Sequence, residues 1–590
     1  MRTSTPSIFT LNTTQIKRMA NIMKCRFLLV GILSLSLLSG PTSLAMGSGD
    51  PIKNQKGRTS IEQFADVITG DLLYRHLSVL ASDEMEGRNT GSVGIELAAQ
   101  YLAQEYAKLG LLAPGENGTY FQAVPFMGTK VQQLEFSLSK RGDMGVMPYT
   151  PPAPLNDANL LFTRMQGGKG VMVGDIVFAG FGAVDTAYGV DPFGELDIKG
   201  SWVLIFQDLP RVVFGDTLLG QSVNNQSRLL DLIIRREAAG VILIDTEPTL
   251  PFEIYVEAFR KQIETPGNIR FVDRPAPNTL AGGYLRIHPE LAAHLLGVDG
   301  MTGLNALKTT IQSEMRQFKA DFLQYGLTMS IDEQQVEVPS RNVLAYLEGS
   351  DPVLKDEIVV LSSHFDHVGI SLPDANGDYI NNGADDDGSG TAGVLAIATA
   401  FAQAAENGFR PRRSILFLNV TAEEKGLLGS RYYSDNPVFP IDSHVANINM
   451  DMIGRDATEH SEKGIKDGVY IIGASLISST LDSLLTVSNN KTHKLYFDMS
   501  LNNVRDPQQI YRRSDHWNFG RLGIPFVFYF TGIHEDYHRP SDEVDKINFE
   551  KYTKITQLIY QNTVEIANSE KRPIVDNQEF IEATRQTPRN

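Results

Sequence analysis

"DEIVVLSSHFDH", residues 356–367, decides how the chain is read: a short β-branched run followed at once by histidine and aspartate. Runs of this kind belong to strands buried on both faces of a sheet. Three more follow it: "RSILFLNV" (413–420), "HVANINMD" (444–451) and "IPFVFYF" (524–530). Between the first two, "GTAGVLAIATAFAQAA" (390–405) reads as a helix. Strand alternating with helix predicts an α/β fold around a mainly parallel sheet. In such sheets ligands bind beyond the carboxyl ends of the strands, and the polar residues gather there. The first run ends in His364-Phe365-Asp366-His367, and the second leads to Glu423-Glu424. The third ends at Asp451, and the fourth reaches Tyr537-His538 through a short loop. A further contribution, "NNGADDDGSG" (381–390), lies between the first strand and its helix.

Singly, each of these residues has an ordinary reading. Asp451 fits a turn, His538 fits a surface, and Asp385-Asp386-Asp387 fits a solvated loop. Their shared position changes the balance, because carboxylates gathered beside neutral histidines repel one another unless a cation joins them. Nitrogen and oxygen donors without sulfur point first to Zn2+, then to Mn2+ or Co2+. Two ions sharing one carboxylate would absorb the charge better than one. Competing motifs fail on their own terms. "GSGTAG" (388–393) matches a dinucleotide fingerprint, but three aspartates precede it where a strand is needed. "DANGD" (374–378) begins like a calcium loop, yet Tyr379 stands where glycine is required and Asp385 where glutamate is expected. No G-x-S-x-G elbow is present for serine chemistry.

Elsewhere the composition bounds the answer. The 590 residues suffice for two or more domains, and 42% hydrophobic with 21% charged residues is ordinary for a globular protein. "RFLLVGILSLSLLSG" (26–40), with Lys17, Arg18, Lys24 and Arg26 around its start and Ser43-Leu44-Ala45 after it, reads as an export signal cleaved after Ala45. Translation starting at Met19 or Met23 would suit it. Export to the periplasm or the medium is expected, with no stable membrane insertion after cleavage. The single cysteine, Cys25, falls inside that signal, so neither disulfide nor thiolate metal site is expected beyond it. The net charge is −17, and residues 1–45 hold five basic and no acidic side chains, so the remainder is more acidic still. Nucleic acid is therefore excluded as a partner. The organisation expected is a signal (1–45), a linker (46–60), the N-terminal part of the main domain (61–149), an inserted β-rich α/β module (150–330), the main part of the host domain (331–570) and a tail (571–590).

Several stretches together resemble the zinc-dependent exopeptidases of peptidase family M28, which include secreted aminopeptidases with two co-catalytic zinc ions. They are "SSHFDHVG", "NGADDDGSGTAG", "TAEEKGLLGS", "NMDMIGR", "RSDHWNF" and "YHRPSDE", in family order, with "LASDEMEGRNTGS" and "GTYFQ" nearer the start. "DIKGSWVLIFQD" and "AAGVILID" give the inserted module a weaker resemblance to a protease-associated domain. The resemblance implies a zinc-exopeptidase sandwich with a mixed, mainly parallel central sheet, and peptides as substrates. It implies that His364 and Asp451 bind one zinc, that Glu424 and His538 bind the other, and that Asp386 bridges them, with Asp385 and Asp387 as alternatives. Asp366 would orient His364. Glu423 would be the general base and Tyr537 a donor to the tetrahedral oxyanion. Arg513 would contact substrate, and Asp515 and His516 would be structural. The expected activity is that of an aminopeptidase. A carboxypeptidase or dipeptidase on the same fold, a glutaminyl cyclase with one zinc, and a binding protein without ligands are the alternatives.

Overall fold

Two helices form near the start, where a hydroxyl side chain precedes apolar residues at helical spacing. Thr69 accepts the Leu72 N–H at the head of α1 (Gly70–Leu80), and Ser92 accepts the Ile95 N–H at the head of α2 (Val93–Lys108). Gly110 closes the second of them at φ +66°, the left-handed conformation that glycine adopts freely. The computed structural model describes residues 59–155, 160–162, 170–210, 212–213, 216–220, 222–275 and 283–585. The expected export signal lies outside them. No helix among the described residues is long and apolar enough to cross a membrane.

The chain continues through β1 (Phe121–Gly142), β2 (Gly170–Phe178), β3 (Trp202–Phe206), β4 (Gly240–Ile244), α3 (Phe252–Glu264), β5 (Gly283–Ile287) and β6 (Asp321–Leu347). Then come β7 (Ile358–His364), α4 (Gly390–Glu406), β8 (Ser414–Val420), β9 (His444–Met450), β10 (Gly468–Gly473), β11 (Tyr496–Asp498), β12 (Phe526–Phe530), α5 (Phe549–Asn568) and α6 (Gln578–Arg585). The sheet order is β11-β10-β12-β9-β7-β8-β6-β2-β3-β4-β5, with a short strand, Leu160–Phe162, beyond β5. Strands β8, β7, β9 and β12 are mutually parallel, while β6 and β10 flank them antiparallel. The fold is thus α/β on a mixed, mainly parallel sheet. Every residue of β7, β8, β9 and β12 is buried, as strands covered on both faces must be.

Strand β6 joins two regions. Its last residues pair with β8, its first with β2, and β1 runs antiparallel along most of its length. The expected boundary at 330–331 falls inside this strand. On either side of it lie distinct apolar clusters. One is built from α1, α2, α4, α5 and the parallel strands, and another from Phe178, Trp202, Leu204, Leu285, Leu291 and their neighbours. Helix α4 is apolar all round and buried along nearly its whole length, so it is an internal helix rather than an amphipathic surface one. In the stretch expected as a tail, α6 buries Phe580 against Phe526.

Candidate metal centre

The register of the sheet sets the first donors side by side. His364, the last residue of β7, lies opposite Val420, the last of β8, three residues before Glu423. Ser362 lies opposite Asn449 of β9, and Met450 opposite Tyr529 of β12. Asp451 follows Met450 directly, and the loop after β12 carries His538. Ala422, Met452 and His538 all take left-handed backbone, each at φ 56°. Such conformations cost non-glycine residues about 1–3 kcal/mol each and concentrate at functional sites.

Buried hydrogen bonds hold the loops that present these donors. The Asp366 carboxylate accepts the peptide N–H of Glu423 at 2.9 Å and of Glu424 at 3.3 Å, which pins the turn carrying both glutamates. Asp542 accepts the N–H groups of Asp385 and Asp386. Asp387 accepts those of His364, Gly390 and Met452, and Asp385 accepts that of Gly454 together with the Ser389 hydroxyl. The fully buried Arg88 guanidinium donates to the carbonyls of Leu80, Phe365, Asn382 and Gly383. It thereby ties the loop after α1 to the end of β7 and to the residues just before the aspartate triplet.

Asp386 is the carboxylate of the triplet that faces histidines on two sides. Its Oδ1 lies 3.3 Å from His364 Nε2, which is itself 3.5 Å from Asp451 Oδ1. Its Oδ2 lies 3.0 Å from His538 Nε2 and 3.7 Å from His367 Nδ1. Glu424 Oε1 is 3.1 Å from each of those two nitrogens. The donors thus form two groups that meet at Asp386. Buried His364 Nε2, His367 Nδ1, Asp386 Oδ2, Glu424 Oε1 and His538 Nε2 have no hydrogen-bond partner. Buried polar atoms are seldom left in that state without a ligand to satisfy them.

The electrostatics agree. Burial pulls the His364 imidazole down, but Asp451, Glu423 and Asp386 outweigh it and hold it well above its usual range. Burial likewise opposes charge on His538, yet Asp386 and Glu424 push it up to about 10. Burial and Asp386 raise the Glu424 carboxyl, and His367 and His538 overcome them to bring it to about 2. Glu423 goes the other way, raised well above the carboxylate range by burial, with Glu424, Asp515 and Asp451 adding and His364 opposing. A divalent cation relieves such a cluster, because it neutralises the carboxylates without charging the imidazoles. The same positive charge would favour the anionic form of Glu423.

The structure brings His364, Asp386, Glu424, Asp451 and His538 together, with Glu423 and Asp366 beside them. His364 Nδ1 lies 3.1 Å from the main-chain oxygen of Asp366 and 3.8 Å from its carboxylate. Asp366 thus meets His364 through its carbonyl, while its carboxylate holds the two glutamates. The Asp451 Oδ2 accepts the Ser514 hydroxyl at 2.7 Å. Tyr537 is half-buried and stacked on His538, ring centroids 3.8 Å apart. Burial and then Asp386, Glu424, Asp451 and Glu423 raise its phenol. Arg513 is exposed. His516 packs on Phe526 and Phe528, and its Nε2 meets the Tyr511 carbonyl at 2.9 Å. The sequence reading gives no role to Arg88, Asp542 or His367. His367 stands three residues after His364 in the same short stretch, a spacing that could have drawn notice.

Residues 342–563 match Peptidase family M28. Aminopeptidase YwaD of Bacillus subtilis is 28% identical over 224 residues, 37% of this chain and 43% of that protein. A probable leucine aminopeptidase 2 of Aspergillus oryzae is 31% identical over 205 residues, 34% of this chain and 36% of that one. The chain spans less than half the length of these relatives. Among solved structures, a zinc aminopeptidase from Bacillus subtilis aligns with TM-score 0.49 at 16% identity, over 86% of this chain and 98% of its own. The matched residues contain β7, β8, β9 and β12 and every candidate donor, so residues 342–563 of this chain are a peptidase family M28 domain.

Proposed function

We propose that this chain is an exported metallo-exopeptidase of the aminopeptidase kind, which removes N-terminal residues from peptides with two zinc ions. One observation carries the reading: the two oxygens of Asp386 divide between a His364–Asp451 group and a Glu424–His538 group. A single carboxylate placed between two sets of nitrogen and oxygen donors suits a pair of divalent ions better than one. The orphaned buried donors fit that role. When bound, zinc supplies Lewis acidity, polarising a carbonyl oxygen and bringing the pKa of water towards neutrality.

The chain's own residues do the rest. Glu423, anchored through its N–H on Asp366, takes a proton from the attacking water and delivers it to the nitrogen of the departing amine. Tyr537, stacked on His538 at the edge of the cluster, donates its hydroxyl proton in a hydrogen bond to the oxyanion. The segment 150–330 is taken as a module of protease-associated type set beside the site. Lys261 of α3, over the Tyr379 ring at 5.3 Å, supports that placement. Export rests on the basic and apolar pattern of residues 17–45.

The test offers the purified chain, loaded with Zn2+, Mn2+ or Co2+, to peptides blocked at one end or the other and follows products by mass spectrometry. Cleavage confined to peptides with a free amino terminus is expected. Cleavage that instead needs a free carboxyl terminus would replace the aminopeptidase reading with a carboxypeptidase. One metal ion per chain, with cyclisation of N-terminal glutamine, would replace it with a cyclase.

A further inference from the structure

His367 has no place in the ligand set the family resemblance implies, yet it is built into the same cluster. Its ring is fully buried. Neither of its nitrogens has a hydrogen-bond partner, and Nδ1 points at Glu424 Oε1, 3.1 Å away, and Asp386 Oδ2, 3.7 Å away. Its ring meets that of His538 edge-on, with centroids 5.5 Å apart. On the other side Gly383, at φ +58°, leaves the space the ring fills: a Cβ there would lie 2.5 Å from His367 Cδ2. The backbone is fixed as well, with the His367 N–H bonded to the Arg88 carbonyl at 3.2 Å.

Ligand atoms of His367, Asp386, Glu424 and His538 all lie within 4.8 Å of one another. Four of the spacings among them are 3.1, 3.7, 3.0 and 3.1 Å. Tetrahedral zinc with nitrogen and oxygen ligands at 2.0–2.1 Å requires edges of about 3.3 Å. The second group, His364, Asp386 and Asp451, offers one nitrogen and two carboxylates. Resting on the zinc-peptidase reading above, we infer that His367 Nδ1 is a fourth protein ligand at the Glu424–His538 position. That position then has two imidazoles and two carboxylates, a complete set for zinc. The His364–Asp451 position is richer in oxygen and keeps room for a non-protein ligand. The two positions therefore differ in affinity, and the His367 position fills first.

Cobalt titration of the metal-stripped full chain tests this, because visible absorption distinguishes four-coordinate Co2+ from higher coordination. The unaltered chain should bind two equivalents, the first tightly and with intense four-coordinate bands. His367→Phe keeps the ring against Gly383 and His538 but removes both nitrogens. It should weaken the first equivalent roughly 100-fold or more, beyond the 10–100-fold typical of losing an outer hydrogen-bond partner, and the bands should fade. His367→Asn, whose amide oxygen sits near the Nδ1 position, should restore part of both. His364→Ala should leave the first equivalent intact and lose the second. A folded Phe or Asn variant with unchanged first-equivalent affinity and bands overturns the assignment of His367. If neither His364→Ala nor His538→Ala alters metal binding, the zinc-peptidase reading itself falls, and this inference with it.

Discussion

Glu423 and Glu424 are adjacent in the chain, and both peptide N–H groups rest on the Asp366 carboxylate. Their side chains nevertheless face different partners, one group of histidines drawing Glu424 down to about 2 while burial raises Glu423. Glu423→Gln keeps the size and removes the base. It should lower kcat by roughly 10²–10⁴-fold with zinc content unchanged, read by steady-state kinetics beside metal analysis. Ser514 acts on Asp451 alone among the proposed ligands, through a single hydroxyl bond of 2.7 Å. Ser514→Ala should weaken zinc binding roughly 10–100-fold, seen as earlier loss of metal to a competing chelator. The aspartate triplet shows how little such distinctions can be read in one dimension. In the sequence Asp385, Asp386 and Asp387 are equivalent neighbours. In the fold two of them accept backbone N–H groups while Asp386 faces His364, His367 and His538.

The loop between β7 and α4 works because its chain can approach others closely. A Cβ on Gly390 would lie 2.3 Å from Asp387 Oδ1 and 2.4 Å from the Met450 carbonyl, so only glycine lets α4 begin against the end of β9. Gly390→Ala should destabilise the chain by about 1–3 kcal/mol through overpacking, lowering the urea midpoint at constant m-value. The strands themselves were legible, since β7, β8 and β12 are apolar runs with polar residues at or just beyond their ends, and β9 is short and β-forming although Asn447 and Asn449 interrupt it. The length of β6 was not. Its two halves pair with different neighbours, and no local pattern announces that one strand serves two clusters.

Buried neutral histidines make the stability of the whole chain sensitive to acid. His444 Nδ1 faces the Pro440 carbonyl, so it carries the proton, and Nε2 accepts the Tyr433 hydroxyl at 2.7 Å. Burial brings its pKa, and that of His76, to about 4, and that of His516 to about 3. Unfolded histidine titrates near 6.5, so on acidification the unfolded chain takes up protons first. Their contribution is fully present above about pH 6.5 and drains away as pH falls towards 4, on the order of 3 kcal/mol for each group. Urea unfolding at a series of pH values should show that loss, and His444→Gln should reduce it by the share of one group. Metal adds a second dependence. Treatment with EDTA should lower the melting temperature and added zinc should restore it, by about 4 kcal/mol at a thousandfold excess over Kd. A melting temperature indifferent to both would contradict binding at the cluster.

What the amino-acid order settled was chemistry and architecture: buried runs ending in His, Asp and Glu specify an α/β sheet whose carboxyl edge gathers donors, because side-chain period and composition are local properties. Which oxygen of which aspartate faces which histidine is not local. It depends on the register of β7 against β8 and β9, on Asp542 and Arg88 holding the intervening loop, and on a glycine that leaves room for the His367 ring. Those contacts join residues up to hundreds of positions apart, so packing, rather than spacing along the chain, sorts the donors into two groups.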